Sequence, residues 1–147
     1  MLSLQEISDR LEIQQLAVDY STAIDSRDFD ALDRVFSADA YIDYRAMGGI
    51  DGHYPAVKSW LREALGHFPA YQHMVSNFSI QLDGDQASGR ILCFNPMQMD
   101  LADGTRQTFF LGLWYHDRYR RTADGWRIER RSEEKSYAFN VPEGLPV

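Results

Sequence analysis

The chain of 147 residues has a single cysteine, Cys93. One thiol can close no intrachain disulfide and can build no cysteine-rich metal site. The chain also lacks a surplus of basic charge: 15 Lys and Arg stand against 22 Asp and Glu, for a net charge of -7. Without a basic face, nucleic acid is excluded as a main partner, and so is an anionic membrane surface. No long hydrophobic run is present. The opening stretch MLSLQEISDRLEIQQL carries Glu6, Asp9 and Glu12 inside its apolar pattern, which fits neither a signal peptide nor a membrane span. The expected location is the cytoplasm. GxGxxG, P-loop and GxSxG motifs are absent, and His53, His67, His73 and His116 have no zinc-like spacing. Nothing points to a cofactor or a metal, and none is expected.

What the chain has is a core's worth of apolar residues, 44%, and a generous aromatic share, 13%. Aromatic side chains line small-molecule pockets as readily as they fill cores. The length fits one domain, residues 1–147. SLQE at Ser3 to Glu6 is a capping box that opens a long helix. Ile7, Leu11 and Val18 mark one apolar stripe on it, and Ile13, Leu16, Tyr20 and Ile24 mark another, so the helix is expected to be sandwiched between other elements. DSRDFDAL breaks it and starts a short second helix. DAYIDYR alternates as a strand, GGIDG reads as a loop, and YPAVKSWLREALG has the Pro and Gly punctuation of a third helix. The remainder reads as long strands turned at DGD and at two ADG triplets, with NVPEGLPV as a closing loop. The expected fold is α+β: a curled antiparallel sheet packed against three N-terminal helices, forming a cone with an internal pocket. Depending on parity, the outer face of the sheet carries Leu92, Phe94, Phe110 or Trp114, which predicts association between copies.

Two ionisable residues fall where a core should be. Asp25 ends the first helix, and His73 lies within an expected strand in YQHMVS. An aspartate that accepts from one imidazole nitrogen fixes the tautomer and leaves the other nitrogen as a base. Each also has a bland reading. Asp25 fits a turn residue, and His73 fits a half-buried ring bonded to a carbonyl. Tyr20, Tyr44 and Tyr115 are candidates for binding a substrate oxygen, since a phenol polarises a carbonyl without carrying charge. Five residues along an ideal helix is about 140° of rotation, so Tyr20 and Asp25 converge only in a wide pocket or at a helix end. Arg131 shares parity with Arg127 and Glu129, opposite Trp126 and Ile128, and faces away from the interior unless a bulge intervenes.

The element order, with AIDSRDFDALDRVFSADAYIDYR, YQHMVSN and YRRTADGWRIERR, resembles the SnoaL-like branch of the nuclear transport factor 2-like superfamily over nearly the whole chain. The resemblance implies an α+β cone, usually a homotrimer, with cofactor-free elimination of water or HCl. It implies that Asp25 and His73 form a catalytic dyad. It also implies that Tyr44 helps to activate a water near the substrate carbonyl, that Tyr20 serves as a dehydratase tyrosine, and that Arg131 assists a leaving group. A second histidine of the dehydratases falls on Ile91, their asparagine falls near Tyr115, and a dehydrochlorinase lysine falls on Tyr20. The expected function is a lyase or isomerase for a small hydrophobic cyclic carbonyl compound, working as a homo-oligomer, a trimer or alternatively a dimer. The alternative is a non-catalytic binder of an apolar molecule in the same cavity.

Overall fold

The computed structural model describes all 147 residues. Helix α1 runs from Leu4 to Asp25. Its capping box is formed: Ser3 Oγ accepts from the Glu6 amide at 3.1 Å, and Glu6 Oε2 accepts from the Ser3 amide at 2.7 Å. A 3-10 segment, Phe29–Arg34, follows, then strands β1 (Phe36–Asp43) and β2 (Asp51–His53), helix α2 (Tyr54–Ala64) and the short β3 (Ala70–Tyr71). The long strands β4 (Met74–Asp83), β5 (Gln86–Asp100), β6 (Arg106–Thr122) and β7 (Gly125–Phe139) complete the chain.

The strands form one sheet in the order β2-β1-β7-β6-β5-β3, with β4 also paired to β5. The expected antiparallel sheet is therefore mixed, because β1 lies parallel to β7. A parallel pair needs a long crossover, and everything between β1 and β7 supplies it. GGIDG is not all loop: Asp51–His53 pairs antiparallel with β1.

One face of α1 packs on β4 and β7. Ile13, Leu16, Tyr20 and Ile24 are buried there, whereas Ile7, Leu11 and Val18 stay exposed. The expected sandwich is thus one-sided, since no element covers the second stripe. A buried polar knot clamps α1 to the β6–β7 hairpin. Asp9 accepts two bonds from Arg121 at 2.7 and 2.8 Å and one from Trp126 Nε1 at 3.0 Å. These charge-assisted bonds hold the Asp9 carboxyl well below the usual carboxylate range.

Candidate active site

Two irregularities in the strands aim the functional side chains. The first lies between β3 and β4, where Gln72 and His73 are unpaired and not mid-strand as expected. Opposite the gap, Tyr71 pairs with Met97 and Met74 with Phe94, leaving Asn95 and Pro96 unmatched. Pro96 has no amide to donate, so an ordinary ladder cannot continue across it. The Asn95 side chain donates to the Gln72 carbonyl at 2.7 Å, and the Gln72 amide donates to the Pro96 carbonyl at 3.1 Å. The gap is therefore held in one shape, and it leaves the His73 amide free for another acceptor.

That acceptor is Asp25. Its Oδ2 takes the His73 amide at 2.9 Å, and its Oδ1 lies 2.7 Å from His73 Nδ1, across 48 positions of sequence. A carboxylate in this position selects the tautomer with the proton on Nδ1 and leaves Nε2 as the basic nitrogen. The His73 ring lines an internal cavity of about 400 Å³, while Asp25 stands behind it, outside that lining.

The second irregularity is a bulge in β7. Tyr119 pairs with Ile128, but Arg118 pairs with Arg130, so Glu129 is the extra residue. The bulge flips parity beyond it. Arg131 turns inward to join Ile128, as the resemblance requires and strict alternation does not. Arg131 is fully buried and donates to Asp117 through Nε at 2.8 Å and Nη2 at 2.7 Å. It does not line the cavity. Its guanidinium lies 4.0 Å from the Tyr115 ring centroid and 4.4 Å from that of Tyr20, so those two rings screen it.

All three candidate tyrosines line the cavity. Tyr20 and Tyr44 share a hydrogen bond of 2.9 Å between their hydroxyls. Tyr20 packs edge-on against His73, with ring centroids 6.2 Å apart, and against Tyr115 at 5.7 Å. The angular separation of Tyr20 and Asp25 proves useful, since α1 ends at Asp25 and the two residues reach His73 from different sides. Burial pushes the Tyr20 phenol up to about 12 and raises Tyr44 and Tyr115 well above the usual value. All three are therefore neutral hydrogen-bond donors at physiological pH.

The rest of the wall is mostly apolar, including Trp60, Met97, Phe109 and Leu113. Three contributors were not anticipated from sequence. Asn95 lines the cavity while pinning the gap, and Leu145 to Val147 of the closing loop line it too. Glu133 also lines it; its Oε2 has no hydrogen-bond partner, and burial pushes its carboxyl up to about 8. The signal for Glu133 was present: it shares parity with Arg131, so any bulge that turns one inward turns both.

A SnoaL-like domain profile matches residues 5–132, and the chain belongs to this family. Uncharacterized protein Rv2910c of Mycobacterium tuberculosis is 64% identical over 137 residues, covering 93% of this chain and 92% of the relative. Among solved structures, a type 2 hexachlorocyclohexane dehydrochlorinase superposes with a TM-score of 0.81 at 17% identity, covering 95% of this chain and 93% of the other. A Novosphingobium aromaticivorans protein named for scytalone dehydratase superposes with a TM-score of 0.77 at 17% identity, covering 95% and 91%. At such identities the likeness is one of fold, the α+β cone of the nuclear transport factor 2-like superfamily.

Proposed function

We propose that the chain is a cofactor-independent lyase or isomerase for a small, hydrophobic, cyclic carbonyl compound. The observation that carries this is an imidazole that both lines an apolar cavity and is held from behind by a carboxylate at 2.7 Å. A histidine kept only for packing would be sealed by side chains. Nε2 of His73 would remove a proton next to the carbonyl, and Asp25 would hold the ring and stabilise its cation. Tyr115, and whichever of Tyr20 and Tyr44 is not donating to the other, would donate to the enolate oxygen, in a mostly apolar wall. Arg131, behind two of those rings, would add positive potential without touching the substrate. The enzyme-type neighbours in fold are consistent with this reading. The outer face of the sheet, where Phe110 stacks on Phe139 and packs at a tilt against Phe94, all three partly exposed, is proposed as the contact between copies.

The test needs no known substrate. Cyclic ketones incubated in D2O should lose their α-proton NMR signals faster with the wild-type chain than in buffer, and His73→Ala should abolish the difference. Ketones that bind without any exchange would establish the second reading, a binding protein built on the same cavity.

A further inference from the structure

Glu133 is a half-buried acid in the cavity wall that the dyad does not use. It comes from β7, beyond the bulge, and pairs in register with Tyr115 of β6. Such cross-strand neighbours have Cβ atoms about 5 Å apart on the same face. His73 comes from the gap beside β5, so the sheet order places β6 and β5 between the two residues. At about 4.8 Å per strand and about 3.3 Å per residue, with His73 at the level of Asn95 and Glu133 at that of Ile91, their backbones are roughly 19 Å apart along the sheet. The two side chains nonetheless line one cavity, because the sheet curls around it. They therefore stand at separate stations on the wall of one cavity.

No hydrogen bond or ion pair explains why a carboxyl should be here. Arg131, two residues away on β7, favours ionisation of Glu133 through its positive charge, but its Nε and Nη2 bond to Asp117, and its remaining Nη1 makes no bond to Glu133. The other groups that act on Glu133 are Asp43 of β1, whose negative charge opposes ionisation, and the phenols of Tyr20, Tyr44 and Tyr115 with the thiol of Cys93. These last four are neutral at physiological pH, because burial raises each of them. One carboxyl oxygen, Oε2, is buried without a partner. A polar atom left unpaired in an interior is costly and calls for an explanation, a catalytic role among them.

We propose that Glu133 is a second catalytic residue of this cavity, the general acid that protonates the departing hydroxyl of a neutral β-hydroxy ketone. This rests on the dyad reading and narrows it to loss of water. His73 Nε2 takes the proton from the carbon next to the carbonyl, and that electron pair forms the new carbon–carbon double bond. The carbon–oxygen bond breaks, and its electron pair takes the Glu133 proton to give water. An imidazolium and a carboxylate remain, and one proton passed from the first to the second through solvent resets the site. Burial that holds the Glu133 carboxyl near pKa 8 keeps this proton in place at neutral pH. A carboxyl that can both stay protonated and give up its proton suits hydroxide, a leaving group too basic to depart unassisted. Chloride or a carboxylate needs no such help.

Two measurements test this. Carbon-13 NMR of protein labelled at the glutamate carboxyl, with Glu133 assigned by its loss in Glu133→Gln, should show a midpoint near 8. A midpoint in the ordinary carboxylate range would overturn the proposal. Turnover is then followed with a matched pair, the benzaldehyde–acetone aldol adduct and its O-acetyl ester, which both eliminate to benzalacetone. Glu133→Gln should slow the hydroxyl compound about 10²-fold or more and the acetate by less than about threefold. Equal losses on both, or no turnover of either by the wild-type chain, would overturn it. Should Glu133→Gln fail to fold, Glu133→Met replaces it, and the wild-type titration stands regardless. Failure of the dyad looks different: His73→Ala would leave α-proton exchange intact, whatever the Glu133 titration shows.

Discussion

Two polar clusters lie inside this molecule, and they are finished differently. Around Asp9, both carboxylate oxygens are satisfied, by Arg121, Trp126 and Gln5. Around the cavity, Tyr20, Tyr44, Tyr115 and Glu133 form a cluster that is left open, with Arg131 behind two of the rings. Three buried side-chain atoms in the whole chain lack a partner, and Arg131 Nη1 and Glu133 Oε2 are two of them. A closed cluster stabilises and specifies a fold. An open one is an incomplete hydrogen-bond network that a ligand or a reacting group can complete. The difference separates the residues that hold the cone together from those that give it a purpose.

The comparison breaks most sharply at His73. His73→Ala should cut turnover by about 10²–10⁴-fold with little change in melting temperature, read by a thermal melt beside a rate assay. Asp25→Asn keeps the shape but can invert the tautomer, so its loss should fall in a similar range. At the closed cluster the pattern should reverse. Asp9→Asn should cost about 2 kcal/mol of stability by denaturant titration while leaving the cavity chemistry intact. The Asp9 carboxyl is held below its unfolded value. Its stabilisation is therefore present above about pH 4 and is lost as pH falls further. The wild-type melting temperature should drop through that acid window more steeply than that of Asp9→Asn.

Glu133 sharpens the contrast with the opposite sign. Its folded value, about 8, lies above the ordinary 4.5, so the folded chain holds an extra proton between those values. Stability should fall as pH rises through that window. Glu133→Gln should melt with the wild type at acidic pH and a few degrees above it at alkaline pH. A variant that melts lower everywhere would place Glu133 with the structural residues. The smallest effect on folding is expected at the outer sheet face. Phe110→Lys should change monomer stability by less than about 1 kcal/mol. It should also shift the sedimentation profile from an assembly toward monomer; a wild-type chain already monomeric at micromolar concentration would contradict the proposed contact.

Local pattern determined much of this molecule. The capping box, the proline and glycine around α2 and the turn triplets between the long strands are short-range signals, and local sterics and hydrogen bonding satisfy them on the spot. Asp25 and His73 stood out as a pair for another reason: a charged or titratable group at an apolar position is conspicuous in any sequence. The parallel pairing of β1 with β7, the strand hidden in GGIDG and the bare outer stripe of α1 were not legible, because each depends on which distant element arrives alongside. The same holds for the two irregularities that aim the site. Pro96 in FNP was visible, but its effect is exerted on a different strand, where it opens the gap that turns His73 toward Asp25. The bulge at Glu129 leaves no local mark, yet it decides that Arg131 and Glu133 face inward. Side-chain identity is a property of the chain, whereas the direction a strand residue points is a property of the ladder. Only the folded sheet, by slipping one residue in β7 and skipping two beside β5, gathered these groups around one cavity.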